Sequence, residues 1–258
     1  MATVPELLDY VERLGTLDVI AVTEHDTLCA AEEARERHAR GGYRFGLISG
    51  EEVTTLDGHL LALFIDEPVA SFRRIEETLV AIHGQGGIAI APHPLSWLTR
   101  SVSPRVFERV AAIGNDGVHF DGIEEYNTSP AGRVASARAR RLNLHRLHLA
   151  AVASSDAHFL QSIGSAYTVF DGTTPDDLRA AVAAKATSPV LGRRPRLSEL
   201  GYRNIALQQW RGMMATPRNK GWLPTLRSFI VSRRRTREPL PNASPEGGGA
   251  YGDGEDVR

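Results

Sequence analysis

VIAVTEHDTL, residues 19–28, begins as a buried strand and ends in charge. Val19 to Thr23 contain a single polar residue, and Glu24, His25, Asp26 and Thr27 follow at once. The same arrangement recurs along the chain. Apolar runs end in SGEE (49–52), APHP (91–94), EEYN (124–127) and SSDAH (154–158). Between them lie helix-like segments: Pro5 to Leu14, CAAEEARERHARGG (29–42), SFRRIEETLVAIHGQGG (71–87), SPRVFERVAAIG (103–114), AGRVASARARRLN (131–143) and TPDDLRAAVAA (174–184). Alternating strands and helices imply a parallel sheet or a barrel with helices outside, whose sites lie at the C-terminal ends of the strands. Ser71 and Thr174 are the expected N-caps of their helices.

The remaining features bound the class. A chain of 258 residues with 42% hydrophobic content suits one main domain with a full core. The net charge of -1 gives no overall polyanion-binding character. Cys29 is the single cysteine, so no internal disulfide forms. No apolar run is long enough to span a membrane, and MATVPELLDYVERLG is amphipathic and acidic, unlike a signal peptide. These features give the expectation of a cytoplasmic protein without a membrane partner. The texture changes after Pro195. Two amphipathic helices are expected over 196–237, and a glycine-, proline- and charge-rich tail, read as disordered, over 238–258.

The strand ends carry the candidate chemistry: His25 with Asp26, Glu51 and Glu52, His93, and Asp156 with His158, to which GHLLAL adds His59. Imidazole with carboxylate suits Zn, Mn or Fe better than Ca. Converging carboxylates are costly to bury without cations between them. Asp26 has two readings, a helix N-cap and a catalytic carboxylate. Glu124 and Glu125 read as the polar end of a strand. A regular hairpin turning at Asp57-Gly58 would separate Glu52 from His59 by about 10 Å. The expectation is therefore an irregular connection that brings them together.

The ordered set VIAVTEHDT, LISGEEVTT, GHLLALF, IAIAPHP and VASSDAH resembles the PHP (polymerase and histidinol phosphatase) family over residues 2–190. The resemblance implies a distorted (β/α)7-type barrel with two or three divalent metals (Mn, Zn or Fe, with Mg as a further option). It implies that Glu52 bridges two metals, that His59 and His93 complete the second, that Asp156 belongs to the first, and that His25 and His158 serve the third. The family's opening strand, with histidine-x-histidine and then serine-aspartate-glycine, has no counterpart in this chain. The expected fold is thus the barrel lacking its first strand, and the reading favoured for the gap is a start assigned too far downstream. The activity implied is hydrolysis of a small phosphate monoester or nucleotide phosphate. Water would be activated by the metal centre, the leaving oxygen assisted by His25 or His158, and the phosphate charge met by Arg100 or Arg133. The alternatives are an exonuclease on short oligonucleotides and a catalytically impaired binding module. A metal-dependent amidohydrolase ranks low, because no lysine precedes Lys185.

Overall fold

The computed structural model describes residues 2–114, 117–193 and 195–235. The expected tail over 238–258 lies outside them. Helix α1 (Val4–Leu14) starts at a Thr3–Glu6 capping box and stops at Gly15 in the left-handed region. Strand β1 (Val19–His25), helix α2 (Cys29–Gly41) and strand β2 (Gly46–Thr54) form a parallel βαβ unit. Strand β3 (His59–Leu63), helix α3 (Ile75–His83), strand β4 (Ile88–Ala91), helix α4 (Pro104–Ile113) and strand β5 (Gly122–Asn127) follow. Next come α5 (Pro130–Arg133), α6 (Ser136–Leu142) and strand β6 (Ala150–Ser154).

Strands β1 to β6 make one curled sheet in chain order, a half-barrel rather than a closed one. The antiparallel pair β7 (Ala166–Val169) and β8 (Ser188–Leu191) brackets helix α7 (Pro175–Ala183). This pair flanks β6, where Ala153 N donates to Thr168 Oγ1 at 2.9 Å and Thr187 Oγ1 donates to Ala151 O at 2.8 Å. Helices α8 (Leu197–Leu200), α9 (Tyr202–Lys220) and α10 (Trp222–Arg235) complete the described chain.

Three expectations are corrected. The sheet is not uniformly parallel: β3 runs antiparallel to both β2 and β4, because four residues, Thr55 to Gly58, cannot make a parallel crossover. Ser71 does not cap α3. That helix begins after Arg74, and the Asp57 carboxylate accepts from Ile75 N at 3.1 Å. The segment 131–143 is not one helix but α5, α6 and a π-turn from Asn143 to Leu147. Thr174 does cap α7, with Asp177 closing the box.

Alternation along the strands divides the core. One face, with Val53, Leu60, Ala62, Ala89 and Ile123, packs against helices α1 to α4. The other, with Ile48, Leu63, Ile88, Ile90 and Val152, fills the concave interior. Along β2 that concave face continues from Ile48 through Gly50 to Glu52. At Gly50 a Cβ would collide with the carbonyl oxygen of Ala62, so only glycine lets β3 approach here. The apolar floor therefore leads directly to a carboxylate.

Candidate metal centre

Glu52 is the hub. The parallel β1–β2 register sets His25 opposite Glu52, and both side chains share the concave face. His25 Nε2 lies 3.8 Å from Glu52 Oε2. His59 is the first residue of β3, and because β3 is reversed it lies at the same end where β1, β2 and β4 finish. The β2–β3 ladder is regular, with Glu52 opposite Leu61 and Thr54 opposite His59. The expected irregular connection is thus absent, yet the two side chains meet. They are diagonal neighbours on one face, within reach of long side chains. His59 Nδ1 lies 2.7 Å from Glu52 Oε1, and His93, just past β4, brings Nε2 to 3.0 Å from the same oxygen.

The electrostatics follow from this crowding. Burial alone would raise the Glu52 carboxyl, but the charges of His25 and His59 and the bonds from His59 and His93 hold it well below its ordinary value. Burial pushes His59 down. For His93 burial also acts downward, but its bond to Glu52 wins and carries it up to about 9. Ser101 Oγ donates to His93 O at 2.9 Å, so the 3.2 Å contact with Nδ1 requires Nδ1–H to donate to Ser101. Neutral His93 would then face Glu52 with the bare Nε2 lone pair.

A second group meets at the ends of β5 and β6. Glu124 is buried and raised by that burial. It accepts from His93 N at 2.7 Å, from Asn127 Nδ2 at 2.8 Å and from the Ser154 hydroxyl. Asn127 Nδ2 also reaches Asp156 Oδ2 at 3.4 Å, and His158 Nδ1 donates to Asp156 O at 3.0 Å. Asp156 has a positive φ of 47°, the left-handed conformation its short polar side chain tolerates. Glu124 and Asn127, read in the sequence only as a polar strand end, tie β4, β5 and β6 together here. Glu51 lies on the opposite face of β2. It is fully buried, bonded to Val69 N and raised by burial to about 7.

Other sequence candidates are placed differently. Asp26 does not cap α2, whose N-cap is Leu28 with no side-chain bond. Its buried carboxylate accepts from Thr54 N and Thr54 Oγ1 at 2.8 Å each and from Ser71 Oγ at 2.7 Å. Arg100 donates from Nη1 to Ser228 Oγ at 2.9 Å, and its guanidinium lies 4.6 Å from the Phe229 ring centroid. The charge is therefore committed to α10. Arg133 is exposed at the end of α5. Neither arginine lines the cleft described next.

The concave interior opens as a cleft of about 610 Å³. Val19 to Val22, Ile90 and Val152 are among its walls, and at one end it reaches His25, Glu52, His93, Glu124, Asp156 and His158. With His59 behind Glu52, all six sequence-named metal candidates thus converge on one end of the cleft. These residues fit a cation. The Nδ1 atoms of His25 and His59 are buried without a hydrogen-bond partner, the latter despite its short contact with Glu52. His25, Glu52 and His59 each offer one ligand atom, and the three atoms lie within 4.8 Å of one another. Nitrogen donors around a shared carboxylate suit a transition-type divalent ion.

The comparisons with known proteins bear on the fold. Residues 135–187 match the PHP-associated family model. The uncharacterized protein MJ1587 of Methanocaldococcus jannaschii is 31% identical over 111 residues, which is 43% of this chain and 58% of that protein. A second uncharacterized protein of the same organism, MJ0417, is 28% identical over 134 residues, 51% of this chain and 55% of its own. The chain thus spans little more than half the length of these curated relatives. Two solved structures share the fold. One is a two-domain protein containing a predicted PHP-like metal-dependent phosphoesterase from Bacteroides vulgatus, with TM-score 0.52, 19% identity, and 76% of this chain and 61% of that one covered. The other is PsfC from Pseudomonas syringae, with TM-score 0.54, 16% identity, and 80% and 87% covered. The half-barrel resembles the fold of PHP-like proteins, and residues 135–187 carry the similarity to the PHP-associated family itself.

Proposed function

We propose that this chain is a metal-dependent phosphoesterase acting on a phosphate monoester or nucleotide phosphate. The observation that carries the reading is the single Glu52 carboxylate contacted by three imidazoles at the end of an apolar-walled cleft. His25, Glu52, His59 and His93 would hold one part of the metal centre, and Asp156 the other. Divalent cations bound there supply positive charge for phosphate oxygens and a water that ionises near neutral pH.

The chain's own groups have distinct tasks. Ser101 fixes the His93 ring by accepting from Nδ1, which aims Nε2 inward. Glu124 fixes the His93 backbone and, through Asn127, the Asp156 carboxylate. His158 has Nδ1 engaged with Asp156 O, which leaves Nε2 for a proton to the leaving oxygen. Val22, Ile90 and Val152 give the floor of the cleft apolar walls. With Arg100 bound to α10, the phosphate charge falls to the metal centre and to protonated histidine.

The test is metal content by elemental analysis together with hydrolysis of p-nitrophenyl phosphate with added Mn²⁺. Bound metal and turnover, both lost in a folded Glu52→Gln variant, are the expected result. Metal binding without hydrolysis of any phosphomonoester would sink the catalytic reading. Turnover of short oligonucleotides alone would move the activity to an exonuclease.

A further inference from the structure

Helix α10 is packed with its polar side inward. Thr225 and Ser228 face the protein at 6% and 3% exposure, and Ser228 receives the Arg100 guanidinium. Leu223, Trp222, Ile230 and Leu226 stand outward at 70%, 59%, 57% and 55% exposure. At about 100° per residue these four fall within an arc of roughly 100°. Such a stripe normally packs against a core. The preceding helix α9 adds Leu207 and Trp210, also exposed. The charge is as one-sided as the apolar surface. From Gly201 to Thr236 the sequence has no Asp or Glu, while Arg218, Lys220, Arg227, Arg233, Arg234 and Arg235 fall between 218 and 235. A chain of net charge -1 thus carries, around this exposed apolar face, a stretch of sequence whose charges are all positive.

We propose that α9 and α10 form a peripheral membrane-binding element, which lays the Trp222–Leu223–Leu226–Ile230 stripe into the interface of an anionic lipid bilayer. An interfacial helix needs an apolar face, flanking Lys and Arg, and tryptophan at headgroup depth. All three are present, and no described helix is long and apolar enough to cross a bilayer. A second copy is a poor occupant, because a symmetric contact would set the cationic segment against itself. A nucleic acid would use the cations and could stack on Trp222, but it would leave the larger, aliphatic part of the stripe, Leu223, Leu226 and Ile230, without a partner. The element is joined to the metal-centre end of the barrel: Asn219 Nδ2 donates to His25 O at 2.6 Å, and Thr216 Oγ1 lies 3.1 Å from Thr54 Oγ1. Membrane contact would therefore hold the cleft close to a lipid surface, in contrast to the sequence expectation of no membrane partner.

The experiment is vesicle flotation of the full chain with phosphatidylcholine vesicles, with and without one-third phosphatidylglycerol. It is paired with light-scattering mass measurement in the absence of lipid. The expected result is binding to the anionic vesicles, weakened by salt. The double variant Leu223→Glu/Ile230→Glu should bind at least tenfold less while melting at the parent's temperature. Tryptophan emission should shift to the blue on binding, and part of that shift should be lost in Trp222→Phe. A monomer that ignores both vesicle types overturns the proposal. So does a dimer that the double variant dissolves without any vesicle binding, which would make the face a self-interface. Capture of a single-stranded oligonucleotide without vesicle binding overturns it as well. None of these outcomes depends on phosphoesterase activity.

Discussion

Oε1 of Glu52 lies 2.7 Å from Nδ1 of His59, although the two residues are two steps apart on the β2–β3 ladder. One oxygen thus serves His59 and His93 together. Glu52→Gln keeps the shape and removes the charge. It should lower metal affinity by at least about 100-fold, the upper end of what even outer-shell partners cost. Isothermal titration with Zn²⁺ or Mn²⁺ checks this, and an unchanged affinity would remove Glu52 from the centre.

Asp26 is predicted to matter for folding. Its carboxylate accepts three bonds from Thr54 and Ser71 in a buried place. Asp26→Ala strands the Thr54 donors and should cost on the order of 3 kcal/mol. Ser71→Ala removes one neutral donor and should cost about 1 kcal/mol. Urea denaturation of both variants tests the ranking. An Asp26→Ala protein as stable as the parent contradicts it.

Arg100 should act as the tether of α10. Arg100→Ala removes the bonds to Ser228 and the stacking on Phe229. Amide exchange over 222–235 should accelerate while β1 to β6 stay protected. Loss of protection throughout the barrel would show that Arg100 supports more than the helix.

His83 and Asp121 give a pH signature away from the metal centre. The Asp121 hydrogen bond, at 3.0 Å, raises His83 above its ordinary 6.5. Burial alone would raise Asp121, but the bonds from His83 and Ala89 N take it below its ordinary 3.8. A raised histidine contributes stability that is complete below about 6.5 and lost as pH rises through the folded value. A lowered aspartate contributes stability that is present above about 3.8 and lost as pH falls. The pair therefore helps most between roughly pH 4 and 6.5. His83→Gln should flatten the stability profile between pH 6 and 8. A parent-like slope in that variant would assign the dependence to other groups. His119 Nε2, 3.4 Å from Asp121 Oδ1 and more exposed, should contribute less.

The residues differ in how far the sequence exposed them. His25, Glu52, His93, Asp156 and His158 could be read because each ends an apolar run, and strand ends are where such folds build sites. His59 could be named, but its route to Glu52 could not: a distance counted along the ladder ignores the diagonal reach across one face. The bonding partners of Asp26 and Glu124 could not be read, for a common reason. Thr54, Ser71 and Ser154 lie 28, 45 and 30 positions away, and local pattern is silent about them. For α10 the periodicity marks an apolar arc, but only tertiary packing reveals that this arc points outward.

The reversal of β3 gives the centre an uneven tolerance to changes in chain length. The other strand-borne candidate ligands stand where a strand runs out into a connection, so residues can be added downstream without moving them. His59 instead stands immediately after the Thr55–Gly58 loop, and Thr55 Oγ1 and Thr55 N both donate to Gly58 O within it. One residue inserted there would shift the register, turn the imidazole to the opposite face and take it out of the centre. This hairpin is the place where insertions and deletions should be least admissible, and where a length library would lose function first.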